Sequence, residues 1–206
     1  MSPAVMRQAE NEQFLIPKIA VNSMSHITLV IGGARSGKSR HAQDLAERRS
    51  GGGEVLYIAT AQAGDDEMRE RIARHKEDRP DHWRTIEEPL EVSRVFNETA
   101  AAVVLLDCLT FFVVNHMLKS GDAATCETET WDGPGAEAAV TSLMEAAAAH
   151  KGDIIIVTNE VGFGLVPETP LGRAFRDTAG RANQTAAAQA DQVILMVAGI
   201  PLQVKP

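Results

Sequence analysis

The segment GGARSGKS, residues 32–39, has residue types and spacing that suit it to binding phosphate. It fits the pattern G-x-x-x-x-G-K-[ST] of phosphate-binding loops. Glycine lets backbone N–H groups converge on phosphate oxygens, and the N-terminus of a following helix adds partial positive charge. We therefore expect the whole loop to bind nucleotide phosphates: Gly32, Gly33, Ala34, Arg35, Ser36, Gly37, Lys38 and Ser39.

Two side chains of this loop have more specific expected roles, in catalysis and in metal binding. In loops of this kind the lysine, here Lys38, reaches the β- and γ-phosphates, and the Ser39 hydroxyl binds Mg²⁺. The acid that completes such a metal site follows a later apolar strand, and VVLLDC places Asp107 there. The alternative role for Asp107 is to cap the helix that follows it. We predict the metal role, with ATP or GTP as the bound nucleotide; Glu160 is a second acid at a strand end.

The elements that must position this loop are also readable from the sequence. HITLVIG, residues 26–32, is an apolar, β-branched run that predicts a strand, and residues 38–49 predict a helix. Later apolar runs at 54–60 and 102–110 predict further strands, and the charged segment 65–79 between them predicts a helix. Alternating strands and helices indicate an α/β fold whose mostly parallel sheet is flanked by helices. We predict a single P-loop NTPase domain of the RecA-like type over residues 25–206.

Composition argues against several other classes of protein. The formal net charge of −8 argues against nucleic acid or an anionic membrane as the main partner. No apolar run reaches the roughly 20 residues that a membrane span needs. Cys108 and Cys126 are too few for a disulfide framework, which favours reduced thiols in a cytoplasmic protein. For residues 1–24 we expect a disordered arm, or a true translation start at Met24.

Several segments taken together resemble one enzyme family. GGARSGKSRHA, VLYIAT, RIARHKEDRP, LLDCLT and TNEVGFGLVPE look like successive blocks of the bifunctional adenosylcobinamide kinase/adenosylcobinamide-phosphate guanylyltransferases of cobalamin biosynthesis. The blocks come in the family's order and extend over nearly all of the chain from Ile27 onward. Agreement of several ordered blocks is far more specific than the phosphate loop alone.

The resemblance implies two reactions at one nucleotide site. In the first, ATP or GTP phosphorylates the aminopropanol hydroxyl of adenosylcobinamide. In the second, GTP transfers GMP to a histidine of the enzyme, and adenosylcobinamide phosphate then takes the GMP to give adenosyl-GDP-cobinamide. The resemblance also implies a homotrimer. Two alternatives are a P-loop small-molecule kinase without guanylyl transfer, and a nucleotide-dependent regulatory or assembly module.

The resemblance also implies roles for particular residues outside the loop. His75, in RIARHKEDRP, matches the family's basic helix and is the expected carrier of GMP, since a neutral imidazole is a good nucleophile near pH 7. Family enzymes can have two adjacent histidines where this chain has Arg74-His75, so His41 and His82 stay open as alternatives. The nucleotide-binding positions that the family implies here are Ile58, Ala59, Thr60, Lys76, Glu77, Asp78, Arg79, Glu87 and Asp107.

Overall fold

The computed structural model describes residues 25–77, 79–118 and 131–206. The predicted N-terminal arm, Asp78 and Cys126 lie outside the described residues. The strands are β1 (His26–Gly32), β2 (Leu56–Ala59), β3 (Arg84–Glu87), β4 (Val103–Asp107), β5 (Asp153–Asn159), β6 (Gln192–Val197) and β7 (Ile200–Lys205). The helices are α1 (Lys38–Ser50), α2 (Asp66–Glu77), α3 (Val92–Glu98), α4 (Leu109–Leu118), α5 (Gly133–Ala149) and α6 (Pro170–Gln189).

All of these strands form one sheet in the order β3-β2-β4-β5-β1-β6-β7. Every neighbouring pair is parallel except β6 and β7, which are antiparallel. Strand β5 lies between β1 and β4, so one strand separates the end of β1 from the end of β4. This arrangement confirms the predicted α/β fold with a mostly parallel sheet.

Helices cover both faces of the sheet because the strands alternate their side chains between two apolar cores. In β1, Leu29 packs with the core that includes α3, α4, α5 and α6, whereas Val30 packs on the other face with Ala42 and Ala46 of α1. The central strands are apolar on both faces, as expected for buried parallel strands. The described helices include none that is long and apolar enough to cross a bilayer.

The prediction that one strand runs over residues 102–110 is wrong at its C-terminal end. Strand β4 ends at Asp107 and α4 begins at Leu109. The reason is a side chain from another strand end: the Thr60 hydroxyl donates to the Cys108 carbonyl at 2.7 Å and accepts from the Cys108 backbone N–H at 2.9 Å. With both backbone groups of Cys108 satisfied by one threonine, the chain leaves the sheet there.

Two other predicted elements are shorter in the structure than in the sequence. Strand β2 spans Leu56–Ala59 rather than residues 54–60. Helix α2 ends at Glu77 rather than at residue 79, and it begins after Asp65, whose carboxylate accepts from the Met68 backbone N–H at 2.7 Å. Asp65 therefore acts as an N-terminal cap and is not a helical residue.

Candidate active site

The phosphate loop forms a tight turn at the C-terminal end of β1. Gly37 has a φ of 89°, in the left-handed region that favours glycine. A Cβ on Gly32 would lie 2.6 Å from the Ser36 Oγ and 2.8 Å from the Met196 carbonyl oxygen, so only glycine fits there. The Ser36 hydroxyl is buried and has no hydrogen-bond partner among the described residues. An orphan polar atom inside this loop is consistent with a ligand that supplies its partner.

Lys38 is the first residue of α1, and its side chain turns back over the loop. The residue is only 7% exposed, and its Nζ donates to the Gly33 carbonyl oxygen at 3.1 Å. Burying a lysine is costly unless its ammonium has polar or anionic neighbours. The ammonium is thus held against the loop in which the sequence pattern predicts phosphate binding. Ser39 follows it and lines the same cavity.

This cavity lies between the C-terminal edge of the sheet and α2. Strand pairing brings Glu87, Ala59 and Asp107 side by side, since Ala59 is the register partner of both of the others. Strand β5 has β4 on one side and β1 on the other. At its β1 side, Asn159 is the register partner of Gly32. The cavity extends along this edge, with Glu87, Ala59, Asp107 and Asn159 all in its wall. Ligands of open α/β sheets bind at this edge.

One face of helix α2, together with a residue that follows the helix, forms part of the cavity wall. The cavity wall includes Met68, Ile72, His75 and Arg79, which follow the three-and-four spacing of one helical face. His75 is partly buried in this wall and therefore shares one cavity with Lys38, Ser39 and Asp107.

The two alternative histidines lie outside this cavity wall. His82 is exposed, and its Nε2 is 3.4 Å from the Glu47 Oε2. His41 is partly buried on α1, where burial and the nearby Arg48 charge lower its pKa. Among these three histidines, His75 is the one that lines the cavity together with Lys38 and Ser39.

A chain of contacts links the end of β4 to the residue that follows α2. The Tyr57 hydroxyl donates to the Asp107 Oδ2 at 2.8 Å, and the Arg79 guanidinium lies 3.7 Å from the centre of the Tyr57 ring. Burial, reinforced by the Asp107 charge, raises the pKa of Tyr57 well above its ordinary value, so the phenol stays a donor. The Arg79 Nε is buried without a hydrogen-bond partner among the described residues. A buried guanidinium nitrogen beside the cavity suits an anionic ligand.

Cys108 also lines the cavity but is not a reactive thiol. Burial is the main cause that raises its pKa to about 12, and the Asp107 charge adds to it. The thiolate is the nucleophilic form of cysteine, so at neutral pH this side chain does not compete with an imidazole as a nucleophile.

The remaining predicted residues differ in how closely the structure brings them to the cavity. Lys76 is ion-paired with Glu87 and faces an adjoining cavity that also includes Arg69. The Ile58 side chain is buried in the core on the opposite face of the sheet, and the Thr60 hydroxyl is used in holding Cys108. Ala34, Arg35 and Glu77 are exposed and do not line this cavity.

Sequence reasoning missed Asn159, which lines the cavity at the end of β5. It singled out the next residue, Glu160, as an acid at the C-terminal edge of a strand, where ligands bind in open α/β sheets. In the structure Glu160 does not line the cavity, and its carboxylate accepts from the Gly162 backbone N–H at 2.6 Å. The signal that points to Asn159 is its place as the last residue of a buried strand, at the edge of the sheet where ligands bind.

The sequence from residue 28 to residue 204 matches the protein family described as cobinamide kinase / cobinamide phosphate guanyltransferase. The chain belongs to this family. The match includes the phosphate loop, α2 with His75, and Asp107, so all the elements that build the cavity lie inside it. The family resemblance and the predicted P-loop fold are thereby confirmed.

Curated relatives agree with the family assignment. The chain is 44% identical over 183 residues to the bifunctional adenosylcobalamin biosynthesis protein CobU of Escherichia coli, an alignment that covers 86% of this chain and 98% of the relative. The CobU of Salmonella typhimurium gives the same identity and coverage. The bifunctional adenosylcobalamin biosynthesis protein CobP of Pseudomonas aeruginosa is 42% identical over 179 residues, covering 86% of this chain and 96% of the relative.

Proposed function

We propose that this chain phosphorylates the aminopropanol hydroxyl of adenosylcobinamide and then transfers GMP from GTP to the product, through a covalent GMP adduct of His75. Membership of the family supports both activities. The observation that supports the residue assignment is the shared cavity, whose wall includes both His75 of α2 and Lys38 of the phosphate loop.

In the proposed phosphorylation, the loop and Lys38 hold the triphosphate while the acceptor hydroxyl attacks. The hydroxyl oxygen forms a bond to the γ-phosphorus, the bond from the γ-phosphorus to the β,γ-bridging oxygen breaks, and the nucleoside diphosphate leaves. The hydroxyl proton is released to solvent. The protein contributes positioning and charge stabilisation, which dominate catalysis of phosphoryl transfer. Lys38 neutralises charge on the bridging and terminal oxygens.

In the proposed guanylyl transfer, a ring nitrogen of His75 attacks the α-phosphorus of GTP. The P–N bond forms, the bond to the α,β-bridging oxygen breaks, and pyrophosphate leaves. A phosphate oxygen of adenosylcobinamide phosphate then attacks the same phosphorus, and the P–N bond breaks to restore the imidazole. A covalent intermediate splits one difficult transfer into two easier ones. Arg79, whose Nε is buried without a protein partner in the described residues, is placed to stabilise charge on the phosphates.

The cavity residues fit a Mg²⁺ ion bound together with the nucleotide. Magnesium prefers oxygen ligands and is held by one or two protein groups, substrate phosphates and water. Ser39 and Asp107 supply a hydroxyl and a carboxylate to one cavity. The described residues contain no group of three or more His, Cys, Asp and Glu side chains that would form an all-protein cage. When bound, Mg²⁺ would neutralise phosphate charge in both reactions, with Ser39 and Asp107 as its protein ligands.

Replacing Tyr57 with phenylalanine tests the metal role of Asp107. The change removes the hydroxyl that donates to Asp107 but keeps the ring on which Arg79 stacks. Loss of such an orienting hydrogen bond costs about tenfold or more in metal affinity. We expect the Mg²⁺ concentration for half-maximal rate to rise about tenfold in both reactions, as measured by metal titration of each activity. An unchanged Mg²⁺ dependence would remove Asp107 from the metal site.

The partners and location of the enzyme follow from the same proposal. Its substrates are adenosylcobinamide, adenosylcobinamide phosphate and GTP or ATP, and its expected compartment is the cytoplasm. The homotrimer that the family resemblance implies stays a prediction. Strand β7 supports self-association, because it pairs with β6 and exposes apolar side chains: Val204, Leu202 and Ile200.

Turnover of adenosylcobinamide tests the proposed function directly. The purified chain is incubated with adenosylcobinamide and Mg²⁺ in two separate reactions, one with ATP and one with GTP. The corrinoid products are then separated and identified by mass spectrometry. We expect adenosylcobinamide phosphate in the first case and adenosyl-GDP-cobinamide in the second. If adenosylcobinamide phosphate forms but adenosyl-GDP-cobinamide does not, the result would support the alternative function, a small-molecule kinase that does not transfer GMP.

A further inference from the structure

Asn159 occupies a central position at the ligand edge of the sheet. Its strand, β5, lies between β1, which leads into the phosphate loop, and β4, which ends at Asp107. Asn159 pairs in register with Gly32, the first residue of the loop, and lines the cavity together with Lys38. The end of β5 therefore lies between the strand that leads to Lys38 and the strand that ends at the predicted metal ligand.

A buried polar network holds this residue. The Thr110 hydroxyl accepts from the Asn159 backbone N–H at 2.7 Å and from the Asn159 Nδ2 at 3.2 Å. The Thr110 and Thr158 hydroxyl oxygens are 3.2 Å apart, and Thr158 donates to the Asn183 Oδ1 at 2.7 Å. The Asn183 Nδ2 donates back to the Asn159 carbonyl oxygen at 3.0 Å, which closes the ring.

The direction of every hydrogen bond in this ring is fixed. Since the Thr158 proton goes to Asn183, Thr110 must donate to Thr158, and Thr110 is then the acceptor for Asn159. Thr110, Thr158 and Asn183 are all at most 8% exposed. Buried polar groups are costly unless satisfied, and a fully satisfied network is rigid. The network thus fixes one orientation of the Asn159 carboxamide.

Part of that carboxamide is left for a ligand. One Nδ2 proton goes to Thr110, whereas no hydrogen bond among the described residues uses the second Nδ2 proton or the Oδ1. The remaining groups are one donor and one acceptor on a side chain that lines the cavity. The free Nδ2 proton can form a hydrogen bond to a phosphoryl oxygen, and the Oδ1 can accept one from a hydroxyl group.

We propose that Asn159 is a further catalytic residue of the phosphorylation step, in which its carboxamide contacts the γ-phosphoryl group and the attacking hydroxyl. This inference rests on the proposed function. The bond changes are those given above: the hydroxyl oxygen bonds to the γ-phosphorus, the nucleoside diphosphate leaves, and the proton goes to solvent. Asn159 gains and loses no proton; it orients the hydroxyl and donates to the oxygen on which charge develops.

Replacing Asn159 with alanine separates this role from general nucleotide binding. Loss of one donor to a developing charge costs about 100-fold or more in kcat. We expect kcat for adenosylcobinamide phosphorylation to fall about 100-fold, while GMP labelling of the protein, which involves the α-phosphate, falls much less. The loss in phosphorylation should exceed the loss in labelling by at least about tenfold. Equal losses in the two assays, or no loss in phosphorylation, would overturn the proposal.

Replacing Thr110 with valine tests the network without touching the ligand. The substitution removes the acceptor for Asn159 at nearly constant volume, and we expect kcat for phosphorylation to fall about tenfold with the KM for the nucleotide changed less than kcat. Thr141→Val is the matched control, since that hydroxyl donates to the Glu137 carbonyl oxygen on the exposed side of α5 and Thr141 does not line the cavity. Wild-type kcat in T110V would refute a positioning role. Absence of both activities in the unmodified protein would instead refute the proposed function.

Discussion

Replacing Lys38 with alanine is expected to reduce adenosylcobinamide phosphorylation and GMP labelling together, each by at least about 100-fold. The Lys38 side chain is buried against the loop, and its ammonium already contacts the Gly33 carbonyl. Both reactions break a bond to a bridging oxygen of the triphosphate, and both leave negative charge on phosphates that the loop holds. We expect one cation to serve both because Lys38 and His75 line the same cavity. The two rates are measured with the same enzyme preparation.

The control for this variant is Lys151→Ala, which removes an exposed lysine that lies beyond the C-terminal end of α5. It changes the net charge by the same amount and should leave both rates as they are. Loss of phosphorylation in K38A with unimpaired GMP labelling would show that the two reactions use different phosphate sites, and the single-cavity account would be wrong.

Replacing His75 with asparagine is expected to abolish GMP labelling, while phosphorylation of adenosylcobinamide stays within about tenfold of the unmodified rate. Asparagine has no nucleophilic ring nitrogen, so the P–N bond does not form. Phosphorylation transfers the γ-phosphoryl group directly to the hydroxyl and needs no covalent adduct. His75 lies on the face of α2 that lines the cavity, together with Met68 and Ile72. These two apolar side chains are unchanged in the variant and should keep the helix in place. Labelling is measured on the denatured, washed protein.

The controls are the two alternative histidines, each changed to asparagine. His41 lies on α1 and His82 lies beside Glu47, and neither lines the cavity. Both variants should retain the label. If H82N or H41N loses it and H75N keeps it, the nucleophile is not in the cavity described, and the residue roles proposed for α2 are wrong.

The sequence predicted the parts of the site that are encoded locally. The phosphate loop, its flanking strand and helix, and Asp107 at a strand end all lie within short segments whose pattern carries the geometry. His75 came from resemblance instead, because a histidine in a charged segment has no local mark of function. Its inward orientation depends on how α2 lies on the sheet edge, with Met68, Ile72 and Arg79 in the same stripe.

Contacts between distant segments were the part that sequence reasoning did not reach. The hydrogen bond from Tyr57 to Asp107 joins two strands, and the ring around Asn159 joins β5, α4 and α6. The early end of β4 has the same origin, since Thr60, which directly follows β2, forms hydrogen bonds with Cys108. Each feature depends on which strands are neighbours in the sheet. The order of the strands cannot be predicted from the sequence of any single segment.

The most direct test of the central claim is incubation of the purified protein with α-³²P-labelled GTP and Mg²⁺. We expect the label to stay with the denatured protein and to be released by acid but not by alkali, as is typical of a phosphorus–nitrogen bond. Peptide mapping should place it on His75. Adding adenosylcobinamide phosphate should then move the label from the protein to the corrinoid. A protein that retains no label, or whose label resists acid, would contradict the proposal of a GMP–histidine intermediate.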